Sequence, residues 1–548
     1  MKKFTIPLLL IAATAFTLLG LSSCSRPEEG EEQVKLESIT LSETEKSAKA
    51  EEIFELTVSQ FPAEAAPAEI EWLSSNEEVA CVENGRVTAK ARGTARVTAR
   101  TRTGDLSATC EISVSDTETF RTVYPGESIN AAISALPEGN GKTVTVKLMS
   151  GTFVEDVVIN RPHVRLVGAN AGLDNANLAR KAESRILPAT SRMPASALNE
   201  DRQNFGVVCV DCDDVTIDGV AIDGENPELN TNLAAFSEDA ETGAQTDAYT
   251  GVVLRVKKLS YDQTYPVLLQ RLTVKNCDIR NVLYAGVSLS AKNSMSLSEG
   301  NEILHNRILN VYSKRFGFGV ELDKNVCAEV HGNCMENVET GVQLNGLNLE
   351  GQGAGCICEN EILARANGVV LAKLSANVGY DVKDNRLRAQ AGNFGIGYLT
   401  CTQDEGKNLI ASGNRIEGFD FGVHVYNSNR AIEVCGSEIS DCRNGLYVSD
   451  TSATGLAGLS MTLVDVLNVT CERTSFTDCE TAVHVFSDKR HNNSMVLAGG
   501  VIRNCDTGLR AEVGSGASAV INVAADPTYD NVGAAEVAVG AGKINRAA

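Results

Sequence analysis

The sequence predicts an all-β protein in which a small β-sandwich is followed by a right-handed parallel β-helix with an N-terminal capping helix. Residues 34–115 contain short segments in which apolar and polar side chains alternate, as in strands with one buried face. Residues 125–548 carry an aliphatic pattern that recurs at the length of one coil. Aromatic residues make up only 5% of the 548 residues, while glycines number 47, which favours stacked aliphatic layers over a core of large rings.

The first 23 residues have the layout of a secretory signal, in which a lysine pair precedes an apolar run. The run ends in Leu21-Ser22-Ser23-Cys24. This ending resembles the lipobox of bacterial lipoproteins, which implies that Cys24 carries the acyl chains and anchors the protein in a membrane. An ordinary cleaved signal followed by a chance cysteine is the alternative interpretation.

Residues 24–33 form a short acidic run, which is expected to be a solvated tether. The run also resembles the acidic export tag of lipoproteins that reach the outer face of the outer membrane. We therefore expect a lipid-anchored outer-membrane protein at the cell surface. A plain tether fits nearly as well, so the choice between the outer and the periplasmic face stays open.

The segment 34–115 is predicted to fold as a β-sandwich with turns at Asn84-Gly85 and Thr103-Gly104. Its motifs are Trp72-Leu-Ser-Ser-Asn76, Val79-Ala-Cys-Val82, Asn84-Gly85-Arg-Val-Thr-Ala89 and Gly93-Thr-Ala95. They resemble the group-2 bacterial immunoglobulin-like family, which implies a spacer or an adhesive module with Trp72 as its core ring. Cys81 and Cys110 lie on different strands, and either a disulfide or two buried thiols fits.

Residues 127–136 are predicted to form a short amphipathic helix, and strands follow it at 143–148, 151–154, 157–159 and 164–167. This order resembles the opening of pectin-esterase-like and pectate-lyase-like β-helices. The resemblance implies that the helix plugs the open end of the first coil, which otherwise exposes a core layer and unpaired strand edges.

The repeat is defined by a small anchor residue that is followed by alternating aliphatics, and most copies are spaced 22 to 27 residues apart. Asn, Ser, Thr or Gly lies eight residues before each anchor, where the backbone bends sharply. The anchors are Gly341, Gly368, Gly422, Gly445, Ala482 and Gly508, with looser copies at Gly286, Gly319 and Gly395. Cys442, Cys479 and Cys505 each lie three residues before an anchor, which predicts a buried thiol stack and no metal site.

Residues between the inward aliphatics are expected to point outward, where substitution spares folding. Glu321 and Asp323, two apart on one strand, are the candidate catalytic carboxylates, and they also suit Ca²⁺. Arg255, on an earlier coil, is the candidate cation facing a substrate acid. Rings for stacking and polar groups for hydrogen bonds make up the candidate ligand-binding set: Gln343, Asn345, His424, Tyr426, Tyr447, His484 and Phe486. An ordinary solvent face with scattered rings is the alternative.

The formal charge of −22 argues against nucleic acid as a partner. The acidic segment 225–250 is expected to form a long connection that either walls a ligand groove or has no function. The sequence motifs of pectin esterases, polygalacturonases and pectate lyases are absent from the chain. The resemblance therefore implies the fold and leaves enzymatic activity open. Two functions remain. The first is binding or processing of an extracellular polysaccharide or of a host or surface glycan, and the protein would be a lyase or a hydrolase if it is an enzyme. The second is a non-enzymatic adhesin or structural surface protein.

Overall fold

The computed structural model describes residues 34–546 apart from sixteen internal segments. These segments are 138–140, 175–179, 181, 191–205, 230–246, 255–268, 292–296, 312, 314–316, 347–352, 375–377, 391–394, 402–405, 452–463, 489–490 and 516. The predicted signal, Cys24, the tether and Arg255 therefore lie outside the described residues, as does most of the acidic segment 225–250. Within the described residues, no helix combines the length and the apolar character needed to span a bilayer.

The N-terminal part is an antiparallel-rich sandwich with one apolar core, as the alternating pattern predicts. Its strands are Ser38–Leu41, Glu45–Lys49, Ile53–Glu55, Val58–Phe61, Ile70–Ser74, Ala80–Glu83, Arg86–Ala89, Gly93–Thr101 and Ser107–Ser115. They form sheets of two, four and three strands. Trp72 packs against the core and is partly buried. Cys81 and Cys110 are separate thiols, so no disulfide links their strands.

The rest of the described chain is a parallel β-helix built from three ladders of strands. Ladder one, with 15 strands in the described chain, comprises Phe120–Val123, Val144–Leu148, Val164–Val167, Val215–Asp218, Leu272–Lys275, Ser298–Leu304, Val326–His331, Gly353–Cys358, Val378–Lys383, Leu409–Ser412, Ile432–Cys435, Val466–Glu472, Asn492–Ala498, Ser518–Ala525 and Lys543–Arg546. Every neighbouring pair in it is parallel, as Val144–Leu148 with Val164–Val167 illustrates. The right hand predicted for the coil follows the general rule for parallel crossovers.

Ladders two and three belong to one sheet with 24 strands in the described chain, in which strands also pair with the strand two positions further in the order of the sheet. Ladder two comprises Gly151–Val154, Ser184–Leu187, Ala221–Asp223, Asp278–Val282, Arg307–Val311, Arg386–Ala389, Arg415–Glu417, Glu438–Ser440, Ser475–Thr477, Val501–Arg503 and Thr528–Asp530. Ladder three comprises Val157–Ile159, Gly206–Val210, Thr250–Leu254, Ala285–Ser290, Phe318–Asp323, Ile396–Cys401, Phe421–Tyr426, Asn444–Ser449, Thr481–Ser487, Thr507–Val513 and Ala534–Val539. The long strands Cys334–Asn345 and Glu361–Ala372 run through both.

The anchor glycines are needed because neighbouring coils approach closely there. A Cβ built on Gly341 would lie 2.5 Å from the carbonyl oxygen of Gly368, too close for any side chain. The expected anchor Gly395 is wrong by two residues. Gly397 holds that position, since a Cβ on Gly368 would meet the Gly397 oxygen at 2.4 Å.

The turns between ladders one and two carry a column of buried asparagines, as the repeat predicts. Each side-chain amide donates to the next side-chain oxygen along the rod at 2.9 to 3.0 Å. The column consists of Asn306, Asn333, Asn360, Asn385 and Asn414. These bonds satisfy polar groups that would otherwise be buried without partners.

The helix Ile129–Ser134 is shorter than predicted, and it packs against strands of the first coil. Ile129 and Ile133 are buried in the β-helix core. That the helix closes the core remains a prediction. Near the other end, the three predicted thiols, Cys442, Cys479 and Cys505, are buried in the same core. Hydrogen bonding to Cys442 helps to raise the pKa of Cys479 to about 12, which confirms an unreactive thiol stack.

Candidate functional site

The outer face of ladder three is the candidate site. Long connections at 188–205, 224–249, 255–271 and 450–465 each begin or end at a strand of this ladder. Its aliphatic side chains that point inward belong to the main core, and the residues between them form other clusters. The predicted outward row is therefore real. Its expected solvent exposure is wrong, because most of its side chains are buried.

Glu321 and Asp323 form an acidic centre on the strand Phe318–Asp323. Only 5% of Glu321 and 6% of Asp323 is exposed. On the neighbouring strand, the Ser288 hydroxyl donates to Glu321 Oε2 at 2.6 Å, and the Tyr284 hydroxyl donates to Oε1. Ser290 donates to Asp323 at 3.3 Å. Burial, reinforced by the Asp323 charge, raises the pKa of Glu321 to about 7, so its carboxyl group can exchange a proton at neutral pH.

The acidic centre has an aromatic wall that the sequence did not indicate. Tyr284 stacks on Tyr249 with ring centroids 4.9 Å apart, and Phe318 meets it edge-on at 5.4 Å. These rings are buried or partly buried, and they fix the Tyr284 hydroxyl against Glu321. Tyr284 precedes its strand by one residue, so strand alternation alone could not identify it.

The middle of the outer face is apolar. Val370 and Leu399 follow Gln343 in the row, and both are fully buried with Ile396 and Cys401 in a small cluster of their own. Gln343 and Asn345, predicted to bind ligand, are partly exposed opposite Glu321 and Asp323. Four strand spacings separate Glu321 from His424, about 19 Å, so the acidic centre and the histidines are separate sites on one face.

The predicted rings and Phe421 contact one another in an aromatic–histidine column, comprising Phe421, His424, Tyr426, Tyr447, His484 and Phe486. Phe421 and Tyr447 are stacked at 4.8 Å, and Tyr447 and Phe486 at 6.5 Å. Tyr447 is only 9% exposed, so its ring faces are already occupied. The sequence predicted that such rings would stack on sugars, and for Tyr447 that surface is already taken by protein side chains.

His424 is a buried neutral base within the column. Its Nε2 lies 2.9 Å from Ser449 Oγ, and that hydroxyl donates to the Thr451 carbonyl oxygen at 2.9 Å. Nε2 therefore carries the proton, and within the part of the chain that the structure describes the buried Nδ1 has no hydrogen-bond partner. Burial lowers the pKa of His424 to about 3, so the expectation that this ring titrates near neutrality is wrong.

His484 is a partly exposed member of the column. Its Nδ1 donates to Asn444 Oδ1 at 3.0 Å, and its buried Nε2 has no hydrogen bond among the described residues, although Glu512 Oε2 lies 3.4 Å away. Arg510 Nε donates to the same Glu512 oxygen at 2.7 Å. Burial lowers the pKa of His484 to about 4, against the Glu512 charge, which raises it, and with Arg510, which lowers it. A neutral imidazole and a carboxylate thus lie side by side at a partly exposed position.

The described residues contain no group of three histidine, cysteine or acidic side chains arranged to hold a metal ion. Glu321 and Asp323 form a two-carboxylate set, so calcium binding remains a prediction. Asn444 and Phe421, which sequence analysis did not select, share one position on adjacent strands. They lie three residues before His424 and Tyr447, one residue off the outward alternation, so that pattern could not identify them.

The fold and the site define a parallel β-helix protein that carries an immunoglobulin-like domain and an acid- and histidine-bearing outer face. Residues 35–112 match the bacterial Ig-like domain (group 2) family, which confirms the prediction for this segment. No curated protein matches the chain.

Solved structures with some similarity include a periplasmic alginate epimerase, with a TM-score of 0.39 and 10% identity over 82% of this chain and 87% of that chain. The catalytic unit of a thermostable α-1,3-glucanase from Streptomyces thermodiastaticus has a TM-score of 0.42 and 13% identity over 84% and 75%. A family 28 exopolygalacturonase from Yersinia enterocolitica has a TM-score of 0.30 and 10% identity over 93% and 99%. These similarities are too low to indicate a shared function, and the fold assignment depends on the strand ladders.

Proposed function

We propose that this protein binds an extracellular polysaccharide along the outer face of ladder three. The observation that carries the proposal is the polar pair His484 and Glu512, which is partly exposed on this face. A sugar hydroxyl can donate to the Glu512 carboxylate, and polar groups shielded from water gain most from such a bond. Arg510 and Asn444 add a donor and an amide beside them.

A polymer fits this face better than a small ligand because the polar positions form a line. Gln343 and Asn345 are partly exposed near one end, and His484 and Phe486 near the other. Parallel coils place them at regular steps of about 4.8 Å along the rod. The ligand class favoured is a neutral, hydroxyl-rich chain, since the acidic side chains would repel an acidic one unless Ca²⁺ or Arg255 offsets the charge.

Processing of the polysaccharide is the second candidate, and the acidic centre favours it. Glu321 exchanges a proton near pH 7, and Asp323 provides a second carboxylate. A reducing-sugar assay, with absorbance for unsaturated products, distinguishes hydrolase and lyase from binder. The rival function is an adhesin or structural scaffold, which the self-stacked column and the buried row favour.

A glycan array with the purified full chain tests binding. His484→Ala and Glu512→Gln should each weaken the affinity for the selected glycan about tenfold, because each removes one hydrogen-bond partner. His331→Ala is the matched control, since this partly exposed histidine lies on ladder one. Wild-type affinity in both outer-face variants would contradict the proposed site. Absence of any bound glycan would favour the scaffold.

We further propose that Cys24 anchors the protein in the outer membrane and that residues 24–33 hold the folded parts at the cell surface. The support is the order of lysines, apolar run, small residues and cysteine at the N-terminus. This placement brings the outer face of ladder three within reach of extracellular glycans.

A further inference from the structure

The first strand of ladder one, Phe120–Val123, has a strand partner on one side only. It pairs with Val144–Leu148, and it begins the order of that sheet. An open parallel edge is a template for pairing with other chains, and proteins cover such edges. The short helix Ile129–Ser134 packs on the core of the first coil, which leaves the backbone edge of this strand to be satisfied elsewhere.

On that edge, the backbone N–H and carbonyl oxygen of Thr122 form hydrogen bonds with Asp116, just after the immunoglobulin-like domain, and with Arg92 of that domain. The Thr122 amide donates to Asp116 Oδ1 at 3.0 Å, and the Thr122 carbonyl oxygen accepts from Arg92 Nη2 at 3.3 Å. The Arg92 amide donates to the Thr122 hydroxyl at 2.8 Å. Only 4% of Thr122 is exposed. The donor and acceptor that a preceding strand would have paired are thus bonded to the neighbouring domain.

Apolar contacts also join the immunoglobulin-like domain to the first coil, and we call this contact region the junction. Phe120 and Met149, which lie at the start of the β-helix, are buried in the hydrophobic core of the immunoglobulin-like domain. The Arg92 guanidinium lies 5.3 Å from the centre of the Tyr124 ring. A Cβ on Gly93 would lie 2.6 Å from the Tyr124 hydroxyl oxygen, so a glycine is required for this approach.

One ion pair and one pair of hydrogen bonds to a carboxylate complete the junction. Arg92 Nη2 lies 2.8 Å from Glu127 Oε1, at the entrance to the short helix. Glu78 accepts the Ser150 amide at 3.2 Å and also accepts the Ser150 hydroxyl. The contacts therefore reach two separate segments of the first coil, on either side of the helix.

We infer that the immunoglobulin-like domain is the N-terminal cap of the β-helix and unfolds together with it. This differs from the sequence-based expectation of a spacer, because a hinged spacer would leave the Thr122 edge and Phe120 exposed. The partner of this domain surface is the first coil of its own chain. The immunoglobulin-like domain and the β-helix then move as one unit.

Denaturation of the full chain in urea tests this inference with two separate signals. Trp72 is the single tryptophan, so its fluorescence reports the immunoglobulin-like domain, while far-UV circular dichroism is dominated by the β-helix. The two midpoints should coincide in the wild type. In Arg92→Ala combined with Glu78→Ala, the urea concentration at the fluorescence midpoint should fall below that at the circular dichroism midpoint. Arg100→Ala, which breaks the Arg100–Glu71 pair away from the junction, should leave the midpoints coincident.

Hydrogen–deuterium exchange provides a second measurement under native conditions. A peptide spanning 117–125 should exchange slowly in the wild type and about tenfold faster in Arg92→Ala, because local opening becomes easier. Separate midpoints in the wild type, or unchanged exchange and coincident midpoints in the junction variants, would show that the domain is an independent spacer.

Discussion

The Ser288 hydroxyl lies 2.6 Å from Glu321 Oε2 on the neighbouring strand of ladder three. The bond holds a carboxyl group that is buried, off the main core, and beside a second carboxylate. Hydroxyl donors favour the ionised form of Glu321, while burial and Asp323 favour the protonated form and prevail. Proton uptake by this one group is therefore coupled to the stability of the fold.

Glu321→Gln should flatten the pH dependence of stability. A carboxyl group whose pKa is raised to about 7 in the folded state contributes stability at low pH that is lost as pH rises from about 4.5 through about 7. Relative to Glu321→Gln, the wild type should lose about 3 kcal/mol across this window. Urea titrations at pH 5 and pH 8 measure this difference. Glu438→Gln, at an exposed glutamate, is the control, and a stability difference between wild type and Glu321→Gln that does not change with pH would refute the burial of a titrating Glu321.

His424→Gln should improve relative stability in acid. Because burial lowers the pKa of His424 to about 3, the folded state resists a proton that the unfolded chain accepts below about 6.5. Stability from this group is present above that value and is lost as pH falls towards 3, by about 2 kcal/mol between pH 6.5 and pH 5. Thermal melts over this range should show the loss in the wild type and in His331→Gln when each is compared with His424→Gln. An equal loss in His424→Gln would contradict the assignment.

Tyr447→Ala should destabilise the protein by about 3 kcal/mol, in contrast to the expectation that outward substitutions spare folding. The ring is enclosed by Phe421, His424, His484 and Phe486, and its removal leaves a cavity in the column. Chemical denaturation measures the change, with Phe61→Ala as a control because 61% of that ring is exposed. A midpoint equal to that of the wild type would mean that the column contributes nothing to stability.

Cys24→Ser should release the protein from membranes. The thiol is the only group in the lipobox-like ending that can accept the lipid, and several acyl chains are what hold such a protein in a bilayer. Fractionation of expressing cells, followed by detection of the β-helix, measures the effect. Ser22→Ala, which keeps a small residue before the cysteine, is the control. Continued membrane association of Cys24→Ser would overturn the anchoring proposal.

The fold was predictable because each coil repeats the same local requirement. Gly341 and Gly368 meet across one strand spacing, and their sequence period reveals it directly. The misplaced anchor at Gly395 shows the limit, since the register there is defined by the neighbouring coils and only Gly397 fits between them. A single coil cannot determine its own register when its apolar pattern allows two alignments.

The positions of the candidate site residues could be predicted from the sequence, but their burial could not. Alternation placed Glu321, His424 and Tyr447 on the outer face, as the strand register confirms. Their burial was missed because it depends on side chains from several coils and on the connections beside them. The contact between Arg92 and Thr122 was missed for the same reason, as the two residues belong to different folded parts.

Because each coil pairs only with its neighbours, the spacing between the acidic centre and the aromatic–histidine column can change only in whole coils. Removal of one repeat between Gly341 and Gly368 would bring His424 closer to Glu321 by about 4.8 Å while every other coil kept its own contacts. The number of coils between the two sites therefore sets the distance between them. Duplication or loss of a single repeat in evolution would change, in steps of one coil, the length of ligand needed to contact both proposed sites at once.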